Sequence, residues 1–191
     1  MPVDNITRAI KKGTGELEGV HYDEVTYEGY GPGGAAIFLE AMTDNKNRTV
    51  SEIRAALGKA GGNLGENGCV GWMFEQKGFI TVKTEAKGED DLMELAIDAG
   101  ADDMQTVEGH YEITTAMENF ETVRKALEEA GVPMDTAEIT RIPQNTITID
   151  EKKGKALLKL MDILDDHDDI QKAYSNFDIP DDVMAAIIEN S

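Results

Sequence analysis

The residues best suited to chemistry are cations at the head of a helix. Asp44-Asn45-Lys46-Asn47-Arg48-Thr49 leads into an amphipathic run that carries Arg54 and Lys59. Helix N-termini present unpaired N–H groups, and cations beside them complete a seat for a phosphate. Lys46, Arg48 and Arg54 are therefore one candidate set for nucleic acid, and Arg8, Lys11 and Lys12 form a second, smaller cluster. By charge alone, a capped loop with solubilising cations explains both sets equally well.

Other chemistries find less support. Asp165-Asp166-His167-Asp168-Asp169 is the densest run of metal-ligand types, but a Ca²⁺ loop counted from Asp166 would need Gly and Glu where Gln171 and Phe177 stand. A solvated turn is the better reading, and no metal site is assigned. Cys69 lies between Gly68 and Val70 in an apolar stretch, which suits a small buried thiol rather than a nucleophile with a base. The loop at residues 61–68 follows a helix rather than opening one, lacks a Lys-Ser/Thr pair and contains no G-x-G-x-x-G. No two carboxylates are framed as an acid–base pair. The sequence thus carries no catalytic residue, no cofactor motif and no enzyme signature.

The elements that must position these residues read as α+β. Asp4 opens a short helix with Ile6, Ala9 and Ile10 on one side. Residues 25–30 and 35–41 are strands joined by Gly31-Pro32-Gly33-Gly34, and a Thr49–Glu52 capping box opens the next helix, closed by Gly61 and Gly62. Residues 69–74 and 79–84 read as a hairpin broken at Gln76-Lys77-Gly78. Then come a helix at 90–99, strands at 104–107 and 111–115, a helix capped by Asn119 and a strand at 136–142. Asp150 caps a helix with Leu157, Leu160 and Leu164 inward, residues 170–177 form a strand, and Pro180 starts a terminal helix.

Charge divides this order. The chain of 191 residues has net charge −20, which argues against nucleic-acid binding by its overall field. Residues 21–87 are net −2 and residues 88–150 are net −13, so a domain boundary is expected near Lys87. We expect 1–20 to belong to a separate helical element, 21–87 and 148–191 to form a discontinuous α+β domain, and 88–147 to be an acidic domain inserted into it. The acidity reads either as a solvated face or as a docking surface for a protein partner. One cysteine, no long apolar run and no signal-like start point to a soluble cytoplasmic protein with no membrane association.

Several blocks together resemble the YebC/PmpR family, which includes the mitochondrial translational activator of cytochrome c oxidase. They are residues 5–13, Tyr27-Glu28-Gly29-Tyr30-Gly31-Pro32-Gly33-Gly34, residues 43–49, Gly61-Gly62-Asn63-Leu64-Gly65, residues 70–78, and residues 168–171 leading to Tyr174-Ser175-Asn176-Phe177-Asp178. The resemblance implies two ferredoxin-like-sized α/β sandwich domains, the second inserted into the first, after a basic helical domain of which this chain holds only a remnant. It also implies a transcriptional regulator that binds DNA, through that basic domain above all, or a translation factor that meets RNA on the ribosome. On either reading Arg8, Lys11, Lys12, Lys46, Arg48 and Arg54 are the expected contacts, and the acidic domain faces away from nucleic acid.

Overall fold

A computed structural model describes residues 21–189. The helix expected near Asp4, with Arg8, Lys11 and Lys12, lies outside them. In chain order the strands and helices are β1 (Asp23–Tyr30), β2 (Ala36–Thr43), α1 (Lys46–Lys59), β3 (Asn63–Leu64), β4 (Phe74–Lys83), α2 (Glu89–Asp98), β5 (Asp103–Val107) and β6 (His110–Ala116). They continue with α3 (Phe120–Glu129), β7 (Thr136–Pro143), β8 (Ile147–Thr148), α4 (Glu151–Asp165), β9 (Ile170–Ser175), β10 (Phe177–Asp178) and α5 (Asp181–Glu189). They fall into two units, residues 21–73 with 143–189, and residues 74–142.

In the first unit the sheet order is β3-β1-β2-β9. β1 and β2 pair antiparallel from Asp23↔Thr43 to Tyr30↔Ala36, and β2 pairs antiparallel with β9. Alternation along β2 sends Ile37 and Leu39 to one face, where Ile53 and Leu57 of α1 and Leu160 and Leu164 of α4 cover them. α1 begins at Lys46, three residues ahead of the expected capping box. Asn45 is its N-cap, with Oδ1 accepting from the Arg48 N–H at 3.1 Å, and Thr49 is a buried residue inside the helix. Its end is as the sequence indicates, with Gly61 at φ +86° and the Gly62 N–H on the Leu57 carbonyl at 2.8 Å. β9 stops at Ser175, short of the expected 177. Asn176 Oδ1 accepts from the Ala36 N–H at 2.7 Å, and the chain leaves the sheet to pair Phe177 with Ile147 of β8. α5 then closes a small core of Ile149, Ile179 and Ile187 against α4.

The second unit runs β4-α2-β5-β6-α3-β7 with sheet order β5-β6-β4-β7, the ferredoxin-like arrangement. Its core joins Ile80, Val82 and Ile113 of the sheet to Leu92 of α2 and Val123 and Leu127 of α3. The expected hairpin at residues 69–84 is absent. Gly71–Met73 is a 3-10 turn, and β4 passes unbroken through Gly78, which pairs with Thr115. A Cβ on Gly78 would collide with Thr115 Oγ1 and stand 2.5 Å from Phe120 Cδ2, so this glycine permits close approach and marks no turn. Asn119 precedes α3 without capping it, because its Nδ2 reaches the Gly100 carbonyl at 3.2 Å.

Because β4 pairs with β6, the division between units falls at Met73/Phe74 and Ile142/Pro143, not at 87/88 and 147/148. This redistributes the charge. Residues 21–73 with 143–189 hold nine basic and 18 acidic side chains, net −9; residues 74–142 hold six and 17, net −11. Both units are acidic, so the net charge of either one does not single out a nucleic-acid surface.

Candidate functional site

The loop into α1 converges on Asp169, which is 2% exposed. Its Oδ2 lies 2.7 Å from Thr49 Oγ1, 3.2 Å from Thr43 Oγ1 and 2.8 Å from the Arg48 guanidinium. Arg48 is also 2.8 Å from Asp44 Oδ1. Bonds to Asp169 and Asp44 hold the guanidinium's pKa above its already high ordinary value, so its charge is permanent and internally committed. His167 completes the cluster. Its Nδ1 accepts from the Asp169 N–H at 3.1 Å, which assigns the ring proton to Nε2, 2.9 Å from Glu52 Oε2.

Glu52, His167 and Asp169 bring their ligand-type atoms within 4.8 Å of one another. Each is engaged in the hydrogen bonds just given, and the arrangement joins α1 to the turn after α4. Beside it opens a polar cleft of about 540 Å³ whose lining includes Asp44, Glu52, Asp166, Asp168 and Asp169, with Arg48 as its one Lys or Arg among the described residues.

The three candidate cations of this region meet different fates. Arg48 turns inward to Asp169, Lys46 sits 3.3 Å from Asp23 Oδ2, and Arg54 is exposed on α1. The local field at the head of α1 is set by the protein's own carboxylates. A phosphate seat there would have to compete with Asp44 and Asp169 for Arg48.

The cations of α4, Lys152, Lys153, Lys155 and Lys159, are not among the residues that motif spacing singles out. With Lys46, Arg48, Arg54 and Lys59 of α1, they make eight of the nine cations of the first unit, all on two helices that cover one face of one sheet. The available signal is the run Lys152-Lys153-Gly154-Lys155, which a search for apolar periodicity ignores.

A second built feature lies on the 65–73 loop. The buried Glu28 carboxylate accepts the backbone N–H groups of Gly68 at 2.8 Å, Val70 at 2.8 Å and Gly71 at 2.6 Å. It pins a loop that presents Trp72, 66% exposed, whose indole N–H donates to the Cys69 carbonyl at 3.1 Å. Burial first, then the Glu28 charge, push the Cys69 thiol pKa up, so it is a poor nucleophile at neutral pH.

The family described as "TACO1/YebC second and third domain" matches residues 22–177. A "Probable transcriptional regulatory protein" of Desulfosudis oleivorans is 55% identical over 186 residues, 97% of this chain and 76% of the relative. A protein of the same description from Halothermothrix orenii is 54% identical over 192 residues, 99% of this chain and 76% of its own. The crystal structure of a conserved hypothetical protein from Aquifex aeolicus, 48% identical, superposes with a TM-score of 0.79 over 95% of this chain and 75% of that one.

Proposed function

Because the chain belongs to the TACO1/YebC family, we propose that it is a non-enzymatic regulator of gene expression that acts by binding nucleic acid. The observation that carries this reading is identity above 50%, over nearly the whole chain, to proteins named "Probable transcriptional regulatory protein". The side-chain clusters agree with it. The best-built polar cluster, around Asp169, spends its hydrogen bonds on holding two elements together. DNA is the target that the relatives' names indicate. The test is a titration of this chain with duplex DNA at several salt concentrations. Binding whose logarithm falls linearly with the logarithm of salt supports the reading, and no detectable affinity at low salt refutes DNA binding by this chain's own residues.

A second reading, docking on ribosomal RNA, draws on one specific observation. The cations of α4 are all lysines, which neutralise phosphates as compact point charges. Co-sedimentation with ribosomes tests it. A chain that stays in the supernatant at low salt fails this reading.

A further inference from the structure

The acidity of the second unit is concentrated in one run. Between Gly88 and Val123 the chain has 11 Asp or Glu and no Lys or Arg, and Met93, Ile97, Val107 and Met117 are exposed within it. A face kept acidic only for solubility gains nothing from apolar side chains set among its charges.

α2 brings the two kinds of residue side by side. Leu92 and Ala96 enter the core and Leu95 and Ala99 pack against it, which uses one side of the helix. Met93 and Ile97, one turn apart, are left on the other side at 38% and 46% exposure. Asp90, Glu94 and Asp98 run beside them as an exposed stripe at i, i+4 and i+8. Like charges at this spacing oppose the helix, and Asp98 stands in the last turn, where the dipole disfavours a negative charge and no basic residue offsets it. None of the three has an ion-pair partner among the described residues. Neighbouring acids are treated differently: Glu121 and Glu128 of α3 hold Arg124, and Glu89 accepts from Thr106 Oγ1 at 2.8 Å. The outer face of α2 therefore pairs uncovered apolar side chains with uncompensated charge.

We propose that this face of α2 docks a cationic amphipathic helix of a protein partner, whose apolar side chains cover Met93 and Ile97 while its Lys or Arg meet Asp90, Glu94 and Asp98. Charge complementarity selects the occupant. A phosphate backbone or an anionic membrane would meet carboxylates with no cation among them, and a second copy of this acidic chain would be repelled in the same way. An uncharged apolar segment would cover Met93 and Ile97 but leave the acidic stripe uncompensated. A helix laid along α2 offers anchors at the same one-turn spacing, and the flexible thioether of Met93 adapts to them. This function goes beyond nucleic-acid binding and does not depend on it.

The test uses the whole chain and a fluorescently labelled peptide of Leu and Lys, about 18 residues long so that it can form a helix, with its leucines on one helical face. A scrambled peptide of the same composition spreads the leucines all round. Anisotropy at physiological salt is expected to show binding of the amphipathic peptide, with the scramble about tenfold or more weaker. Met93→Gln/Ile97→Gln should weaken the amphipathic peptide by about tenfold, whereas Ile163→Gln, an equally exposed isoleucine beside Asp162 on α4, should leave it unchanged. Asp90→Asn/Glu94→Gln/Asp98→Asn should weaken it and flatten its salt dependence. All five α2 positions are on the surface, and circular dichroism verifies that the variants fold. If wild type does not bind the amphipathic peptide, or binds the scramble equally well, the proposal is overturned and the acidity serves solubility alone. Equal binding by wild type and the Met93/Ile97 variant overturns the face. A labelled RNA hairpin that binds wild type and is lost with Met93→Gln/Ile97→Gln overturns the occupant.

Discussion

An arginine whose guanidinium lies 2.8 Å from both Asp44 Oδ1 and the buried Asp169 Oδ2 leaves, on removal, a carboxylate without its cation where water hardly reaches. Arg48→Gln is therefore expected to lower stability by about 1–3 kcal/mol, the cost of an under-satisfied charged group. Asp169→Ala should cost more, about 3–5 kcal/mol, because it strips Thr43, Thr49 and Arg48 of their common acceptor at once. Urea denaturation at neutral pH measures both, and a shift of the midpoint for Arg48→Gln no larger than for a surface control would refute the account. Little of this is visible in the sequence. Thr49 and Glu52 read there as a local capping box, whereas Thr49 answers to a residue 120 positions away and Glu52 to His167, 115 positions away. Local spacing reports caps, but it is silent on a carboxylate brought in by a distant turn.

Elements were legible where a pattern is local. The Asp150 cap, with Oδ1 accepting from the Lys153 N–H at 2.9 Å, and the Gly61, Gly100 and Gly131 terminations stand where periodicity and turn chemistry put them. Gly78 misleads because its role is tertiary: it makes room for Phe120, which arrives from α3. Gly78→Ala is expected to destabilise the second unit by about 1–3 kcal/mol, the cost of overpacking, whereas a turn glycine there would tolerate alanine with little loss. Thermal unfolding decides between them. α4 supplies a pH-dependent case. Burial, then the neighbouring Asp162 and Asp166, raise the Asp165 pKa in the folded state, at a helix end where the dipole also disfavours negative charge. The folded protein thus holds this proton more tightly than the unfolded chain. The associated stability is present in acid and lost as pH rises through the folded pKa. Asp165→Asn should raise the melting temperature at pH 7 and change it little in acid. The opposite trend would mean that Asp165 has an unrecognised cation beside it.

At the scale of the whole chain, the acidic segment visible in the sequence, residues 88–147, is shorter than the structural unit that contains it, residues 74–142, at its start and overruns it at its end. Lys77, Lys83 and Lys87 dilute the acidity at the start of the second unit, and the contrast appears only after β4 has been cut off from the sheet it belongs to. With β4 restored, residues 74–142 contain every strand of their sheet up to the last residue of β7, and a core of their own around Leu92, Ile113 and Leu127. β4 and β7, which carry the chain in and out, are neighbours in that sheet, so excision breaks no ladder within it. Residues 74–142 expressed alone should therefore fold and melt in one cooperative transition, with a heat-capacity change of about 0.9 kcal/mol/K for a segment of this length. A unit so small has little stability in reserve, and its net charge of −11 adds self-repulsion that salt will relieve. The melting temperature is accordingly expected to rise with ionic strength. Calorimetry of the isolated segment at low and high salt tests both statements. A broad transition without a heat-capacity step would show that the insertion needs the rest of the chain to fold, and a melting temperature insensitive to salt would show that its acidic side chains are too far apart to matter.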